Sequence, residues 1–297
     1  MQARKDKTVF TTLCAALTAL ALANSNVVDA AVLSTDPGDY VALPPGTELG
    51  LLYYQHTERN RIKLDGRTVT KDFGLDSDIG IARFVHWTTL GGFTVTPQVI
   101  LPFGHLDLSG SKDYSVSGAA DPMVGSALWL VNDPKQERYL AIAGYVGMPL
   151  GSYDQDAPVN LGENRWKGML HLAYVQALLP NTLYAEITLE HDTFGDNDDF
   201  FGQTLRQDDV FEVQTHLRYV FNQTNQFAVS WFHTTGGETH VGGVAQNDTT
   251  GTQRYLLTWQ HFLQPTLQVQ TQFGQDLDVV NGAQEKFRVN VRIAHAF

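Results

Sequence analysis

The chain has 297 residues, a formal net charge of −12 at pH 7, 43% hydrophobic residues and only 18% charged ones. So acidic a balance repels a phosphate backbone, which excludes nucleic-acid binding on electrostatic grounds. Mean hydropathy is −0.18, and no run beyond the first thirty residues approaches the ~20 apolar residues of a spanning helix, so a membrane location would require a closed sheet that satisfies its own amides.

At the N-terminus, Arg4, Lys5 and Lys7 form a positive region, Val9 to Ala23 is an apolar run, and Val28-Asp29-Ala30 ends in small residues. That order predicts a signal peptide over residues 1–30, cleaved near Ala30. A membrane anchor is the alternative, but the run breaks at Asn24, short of a spanning length. Cys14, the one cysteine, lies in this leader. Disulfides therefore do not hold the exported chain together.

Residues 31–46 carry Asp36-Pro37-Gly38-Asp39 and Pro44-Pro45-Gly46 and read as turn and extended chain, in the periplasm or at a barrel mouth. Residues 47–297 then show about twelve segments of strand character. They are Thr47–His56, Asp78–Trp87, Phe93–Phe103, Met123–Val131, Tyr139–Leu150, Arg165–Leu178, Thr182–Phe194, Val210–Phe221, Gln226–Thr234, Gln253–Leu263, Thr266–Asp276 and Lys286–Phe297. Most have the length of a tilted strand crossing hydrocarbon, and the number is even.

Connections alternate in length. Residues 57–77, 105–122, 151–164, 195–209 and 235–252 are long, whereas 88–92, 132–138, 179–181, 222–225 and 264–265 are short, and only the last outward loop, 280–284, departs from the pattern by being short. A soluble sandwich has no reason to gather its long loops at one end. An outer-membrane barrel with short periplasmic turns and long extracellular loops does.

Parity within the later strands agrees. Phe211, Val213, Leu217, Tyr219 and Phe221 oppose Glu212, Gln214, His216 and Arg218, and in the last strand Phe287, Val289, Val291, Ile293 and Phe297 oppose Arg288, Asn290 and Arg292. The apolar set should face lipid and the polar set the lumen. Earlier strands alternate less cleanly, with Leu140, Ile142 and Val146 facing out around Gly144, and Pro97 predicts a bulge inside the third. Tyr53, Tyr54, Trp87, Trp129, Tyr139, Trp166, Tyr219, Phe221, Phe262 and Phe297 sit near strand ends, where aromatic girdles would use them.

Enzymatic signatures are sparse. The sequence contains neither G-x-S-x-G nor H-E-x-x-H, and His191, between Glu190 and Asp192, reads as a rim residue. Asp192, Asp196, Asp198, Asp199, Asp208 and Asp209 make one loop acidic without calcium-loop spacing, so neither metal nor cofactor is expected. Lys167, His171, Glu186, Glu190, Glu212, Arg218, Arg254, Arg288 and Arg292 all have the polar parity of their strands and are the pore-lining candidates. Charges of both signs in a narrow lumen hold a water path, or pair and plug it.

Gly38-Asp39-Tyr40-Val41-Ala42-Leu43-Pro44-Pro45-Gly46-Thr47, Asp121-Pro122, Gly144 with Pro149, Gly151 and Tyr153, Asn164-Arg165-Trp166, and the terminal Phe297 form a set of short stretches along the chain. Together they resemble one outer-membrane family, named for the MetA-pathway of phenol degradation. The resemblance implies a barrel in the outer membrane that helps small hydrophobic or aromatic molecules across, and it carries over no binding residues. The expectation is an all-β, antiparallel transmembrane barrel acting as a passive channel. Its partners would be outer-membrane lipids, lipopolysaccharide, the assembly machinery reading Phe297, and a small hydrophobic solute. The alternatives are a lipid-acting barrel enzyme with His191 or His233 as base, and a barrel that binds the envelope without transport.

Overall fold

The computed structural model describes residues 34–110 and 113–297. The expected signal peptide, residues 1–30, and its cleavage point lie outside the described residues. Twelve long strands follow one another: β1 (Glu48–Leu64), β2 (Phe73–His86), β3 (Phe93–Gly110), β4 (Met123–Asp133), β5 (Arg138–Gly147), β6 (Lys167–Leu179), β7 (Leu183–Phe194), β8 (Val210–Val220), β9 (Asn225–Gly236), β10 (Thr250–Gln264), β11 (Leu267–Val279) and β12 (Gly282–Ala296). Each pairs antiparallel with the next, and β12 returns to β1, so the sheet closes. The closing seam runs from Leu49↔Ala296 to Glu58↔Phe287 without a shift. No amide edge is therefore left facing lipid along it, which is the condition for a sheet to cross a membrane.

Side-chain alternation does the rest. Leu52, Leu170, Val229, Phe273 and Ile293 point outward and are exposed, while Gln55, His171, Ser230, Gln272 and Arg292 from the same strands are buried inside. An outer wall this apolar is stable only against hydrocarbon, where the hydrophobic cost of exposure vanishes. Phe297 lies on that wall, its ring over Gly50 and 6.2 Å from Phe84.

The short connections carry the residues that tight turns need. Gly91 and Gly92 both have positive φ, 58° and 88°, between the paired Leu90 and Phe93, the dihedral pattern of a two-residue hairpin turn. Residues 88–92 and the other short turns share one end of the barrel with Thr47 and Phe297. That end faces the periplasm in outer-membrane barrels.

Four features differ from the sequence reading. β1 and β3 run 17 and 18 residues, against the ~9–11 that cross hydrocarbon, because the β1 hairpin continues past the membrane to Asp65-Gly66, and Tyr114–Ala119 extends the sheet beside the upper part of β3. The long loops 195–209 and 235–252 fold into a cap, a separate sheet of Asn197–Phe200, Gln203–Gln207, Thr239–Val241 and Val244–Ala245. Pro97 makes no bulge: its register with β4 is continuous, and the β2 ladder ends at Val85↔Gln98, just before the missing donor. The aromatics split between the two faces. Tyr54, Trp166, Tyr219, Phe221 and Phe297 face out, but Trp87, Trp129 and Tyr139 are buried inside, since proximity to a strand end says nothing about face.

Candidate functional site, a lumen crossed by an N-terminal strap

Residues 34–46 run inside the barrel, from mid-lumen to the short-turn end, as a strap. Asp36-Pro37-Gly38-Asp39 is its bend: Asp39 N–H donates to Asp36 O at 3.0 Å, and Gly38 has φ of 93°. Proline first and glycine second is the requirement of a type II turn, whose third residue needs positive φ. The bend presents two carboxylates and a tyrosine to the wall.

The wall answers with polar side chains from nearly every direction. Arg292 donates to Asp36 at 2.7 Å and lies 3.4 Å from Asp39, which Arg83 also reaches at 3.4 Å. Gln270 and Gln272 donate to Asp36 Oδ1 at 2.7 and 2.9 Å, Thr35 Oγ1 donates to Gln214 at 2.7 Å, and Gln260 donates to Pro37 O at 2.9 Å. Gly38 N–H donates to Glu186 at 2.8 Å, and Glu186 is held from behind by Arg218 at 2.6 Å. On the other side Tyr40 meets His171 Nδ1 at 2.7 Å, while the Trp129 indole donates to Tyr40 O at 3.0 Å. Each bond is modest alone, but buried charge-assisted ones are the stronger class, and here they share one short segment.

All nine pore-lining candidates face the lumen, and most are paired. Lys167 lies 3.2 Å from Asp192, His171 Nε2 lies 2.9 Å from Glu190, and Arg288 lies 2.7 Å from Glu285, which also takes Arg59 at 3.2 Å. Glu212 accepts from Thr234, and Arg254 reaches Ser34 of the strap at 3.1 Å with its guanidinium 4.8 Å above the Phe232 ring. Glu186, His171, Arg254 and Arg292 bond the strap directly, and Arg218 does so through Glu186. Glu190, Glu212 and Arg254 line the space toward the cap, Arg288 lies beside Ser34, Thr35 and Asp36, and Lys167 is paired with Asp192.

The strap divides the lumen unequally. On the cap side lies a small polar space of about 70 Å³ among Arg59, Glu190, Glu212, Arg254, Asp276 and Glu285. On the short-turn side lies a cavity of about 410 Å³ that includes Leu43, Leu51, Val85, Trp87, Trp129 and Phe262 in its lining.

Against known proteins, residues 57–293 match the family model described as "Putative MetA-pathway of phenol degradation". The chain belongs to this family. Among solved structures it is similar to the COG4313 outer membrane channel from Pseudomonas putida F1, with 36% identity over 89% of this chain and 100% of that one, at a TM-score of 0.85. The beta domain of the Bordetella autotransporter BrkA shares the fold alone, with 10% identity over 86% of this chain and all of that one, at a TM-score of 0.52. No curated relative matches. Family membership and the closed barrel together place the protein in the outer membrane as a channel-type barrel.

The two rim histidines are held in ring stacks. His191 stacks on Phe211 with centroids 4.5 Å apart and pairs with Asp209 at 2.9 Å, and His233 stacks on Trp231 at 5.7 Å. Both lie on the outer wall, and neither bonds a serine among the described residues. Asp208, read only as part of an acidic loop, stands with Glu238 and His240, their ligand atoms within 4.8 Å of one another. The residues missed by sequence were Asp36, Asp39 and Arg83, and the ladder Gln214, Gln260, Gln270 and Gln272. The glutamines had the inward parity and were passed over because they carry no charge, although an amide is what a buried carboxylate or carbonyl needs. Arg83 gave no signal, because its inward neighbours Ile81 and Val85 are apolar.

Proposed function

We propose that the protein is a passive channel through which small hydrophobic or aromatic compounds cross the outer membrane, with the strap as its constriction. What supports this solute class is the lining of the larger cavity, where Leu43, Leu51, Val85, Trp87 and Ala294 pack as one apolar cluster inside a barrel. An interior built only to conduct ions or sugars gains nothing from such a surface, since apolar walls dewet and bind polar solutes poorly. A relative described as an outer membrane channel and a family named for phenol degradation agree with the reading.

The chemistry gives the channel a task. The lipopolysaccharide leaflet, with its packed sugars and ion-bridged phosphates, slows apolar molecules that would otherwise dissolve through the hydrocarbon. A lined passage lets such a molecule bypass that leaflet. The strap is held by polar contacts on one flank and by the packing of Tyr40 and Val41 on the other, so its displacement costs both and leaves the barrel wall intact.

Uptake by liposomes with lipopolysaccharide in the outer leaflet tests the proposal. Toluene and a disaccharide are compared with and without the protein. Protein-dependent acceleration is expected for toluene and not for the sugar. Equal rates for toluene in both preparations would overturn the proposed solute class.

A further inference from the structure

The cavity on the short-turn side is not uniform around its circumference. Leu49 and Leu51 of β1, Val85 of β2, Trp87 just beyond it and Ala294 of β12 lie on three neighbouring strands, and Leu43 of the strap joins them. Arg218 of β8 and Gln226 of β9 line the same cavity about half a circumference away. Arg218 is already fixed: Nε donates to Glu186 and Nη1 to Gln226 at 3.1 Å. Its charge is therefore answered inside the wall, and what the pair offers the cavity is a rigid polar edge.

Size and access agree with a small guest. An apolar cavity of about 150 Å³ already holds benzene, and here the volume is about 410 Å³. Thr47, Pro265, Thr266 and Ala296 surround its mouth at the short-turn end. The ceiling is Gly38, Asp39 and Tyr40 of the strap, so a molecule can occupy the space while the strap stays in place.

We infer that this vestibule is a holding site for an uncharged compound of one or two rings bearing a single hydrogen-bonding substituent. The ring lies on the Leu51–Val85–Trp87 arc and the substituent turns toward Arg218 and Gln226. The inference rests on the reading of the protein as a channel for such compounds, and adds where the solute waits and how it is oriented. A fully apolar ring uses only half of the lining, and an ion finds the apolar arc unfavourable and the three arginines of the lining already answered, Arg218 by Glu186 and Arg83 and Arg292 by Asp39.

The five tryptophans make the site readable. Trp166, Trp231 and Trp259 face outward, whereas Trp87 and Trp129 are only 5% and 3% exposed and line the cavity. In a protein carrying Trp166→Phe, Trp231→Phe and Trp259→Phe, reconstituted in lipid nanodiscs, emission reports the vestibule alone. Bromocyclohexanol, transparent where tryptophan absorbs, is the quenching probe, with bromocyclohexane as its apolar counterpart. The expected result is saturable quenching by the alcohol, severalfold tighter than by the hydrocarbon after correction for partition into lipid. Ala294→Phe should weaken it at least tenfold by filling the arc. Leu43→Phe should do the same from the strap, outside the barrel wall, so that a folding defect in the first variant does not decide the matter. Quenching that rises linearly with probe, or that neither substitution changes in folded protein, overturns the site. The liposome uptake assay stands apart: uptake without saturable quenching removes the vestibule and leaves the channel. Saturable quenching without uptake removes the channel reading while the binding site stands.

Discussion

The two halves of the barrel are built on different physics. Inside β1 to β5 the lumen is filled with Leu75, Ile79, Ile81, Ile100, Ala127, Trp129, Ala141 and Tyr145, joined by Val159 and Leu161 from the loop before β6. From β7 to β12 the inward positions include Glu186, Glu212, Gln214, His216, Arg254, Gln272, Arg288 and Arg292, buried and bonded to the strap or to neighbouring polar residues of the wall. One half is a hydrophobic core that happens to sit inside a barrel. The other is a polar lining that bonds the strap and its own polar neighbours. The strap crosses between them, with Tyr40 and Val41 packed on the apolar side and Asp36 bonded on the polar side. A plug held on one flank by burial and on the other by charge comes free when either is removed, and the charged flank is the one that substitution removes most cleanly.

The largest effect should follow from that flank. Asp36→Ala with Asp39→Ala leaves Arg292 and Arg83 facing a strap that no longer attracts them, and a broken buried pair costs about 3–5 kcal/mol. Time-averaged conductance in planar bilayers is expected to rise by about two orders of magnitude or more, until the strap is mostly displaced, since each ~1.4 kcal/mol moves a two-state equilibrium tenfold. Unchanged conductance would mean that the apolar flank alone seats the strap. Next come the two halves themselves, compared by the urea midpoint of folding into vesicles. Glu285→Ala strands Arg59 and Arg288 together and should cost about 3–5 kcal/mol. Ile79→Ala opens a cavity in the apolar half and should cost about 2–4 kcal/mol. If the polar substitution is the milder, the charged lining is better solvated than its burial implies.

The same contrast explains how much was legible in the sequence. In β8 and β12 one parity is charged and the other apolar, so facing could be read directly. In β5 the inward Tyr139, Ala141 and Ala143 alternate with the outward Leu140, Ile142 and Val146. Both sets are apolar, and alternation carries no information when core and lipid accept the same side chains. The strap was legible as a bend and not as a plug. Its partners lie 131 residues away for Tyr40 and His171 and 256 for Asp36 and Arg292, and no local pattern reports a contact at that separation. Loop lengths gave the orientation, but the cap sheet was hidden, because one acidic and one glycine-rich loop read as solvated until their few apolar residues, Phe200, Leu205 and Val241, are seen to pack.

A smaller effect tests the apolar flank of the strap. Tyr40→Phe keeps the ring among its neighbours and deletes only the hydroxyl that meets His171. One hydrogen bond is worth about 1 kcal/mol. More frequent brief openings are expected in single-channel records, with the open-state current unchanged. A doubled dwell time in the closed state would instead show that the hydroxyl holds the strap ready to leave.

The comparison extends beyond the bilayer, where β1 and β3 of the apolar half simply continue upward and the polar half carries the separate cap. Asp248 fastens that cap. It is 2% exposed, and its two oxygens accept from Thr239 N–H at 2.7 Å and Thr239 Oγ1 at 2.6 Å. Burial raises its pKa above the ordinary 3.8, against the lowering effect of the Thr239 hydrogen bonds and with a small push from Glu238. The folded cap therefore holds its proton more tightly than the unfolded one. Between the unfolded and folded pKa values it binds more protons, so the contribution of Asp248 is full below that window and is lost as pH rises through it. Hydrogen exchange at Thr239–Val241, corrected for the intrinsic rate, should show protection falling with pH across the carboxylate range and level above it. Asp248→Asn keeps an oxygen for the Thr239 amide and has no proton to lose, so its protection should be flat. A slope that survives in Asp248→Asn would assign the titration to a neighbour, Glu238 first among them, and would leave Asp248 as a hydrogen-bond acceptor with no part in the pH response.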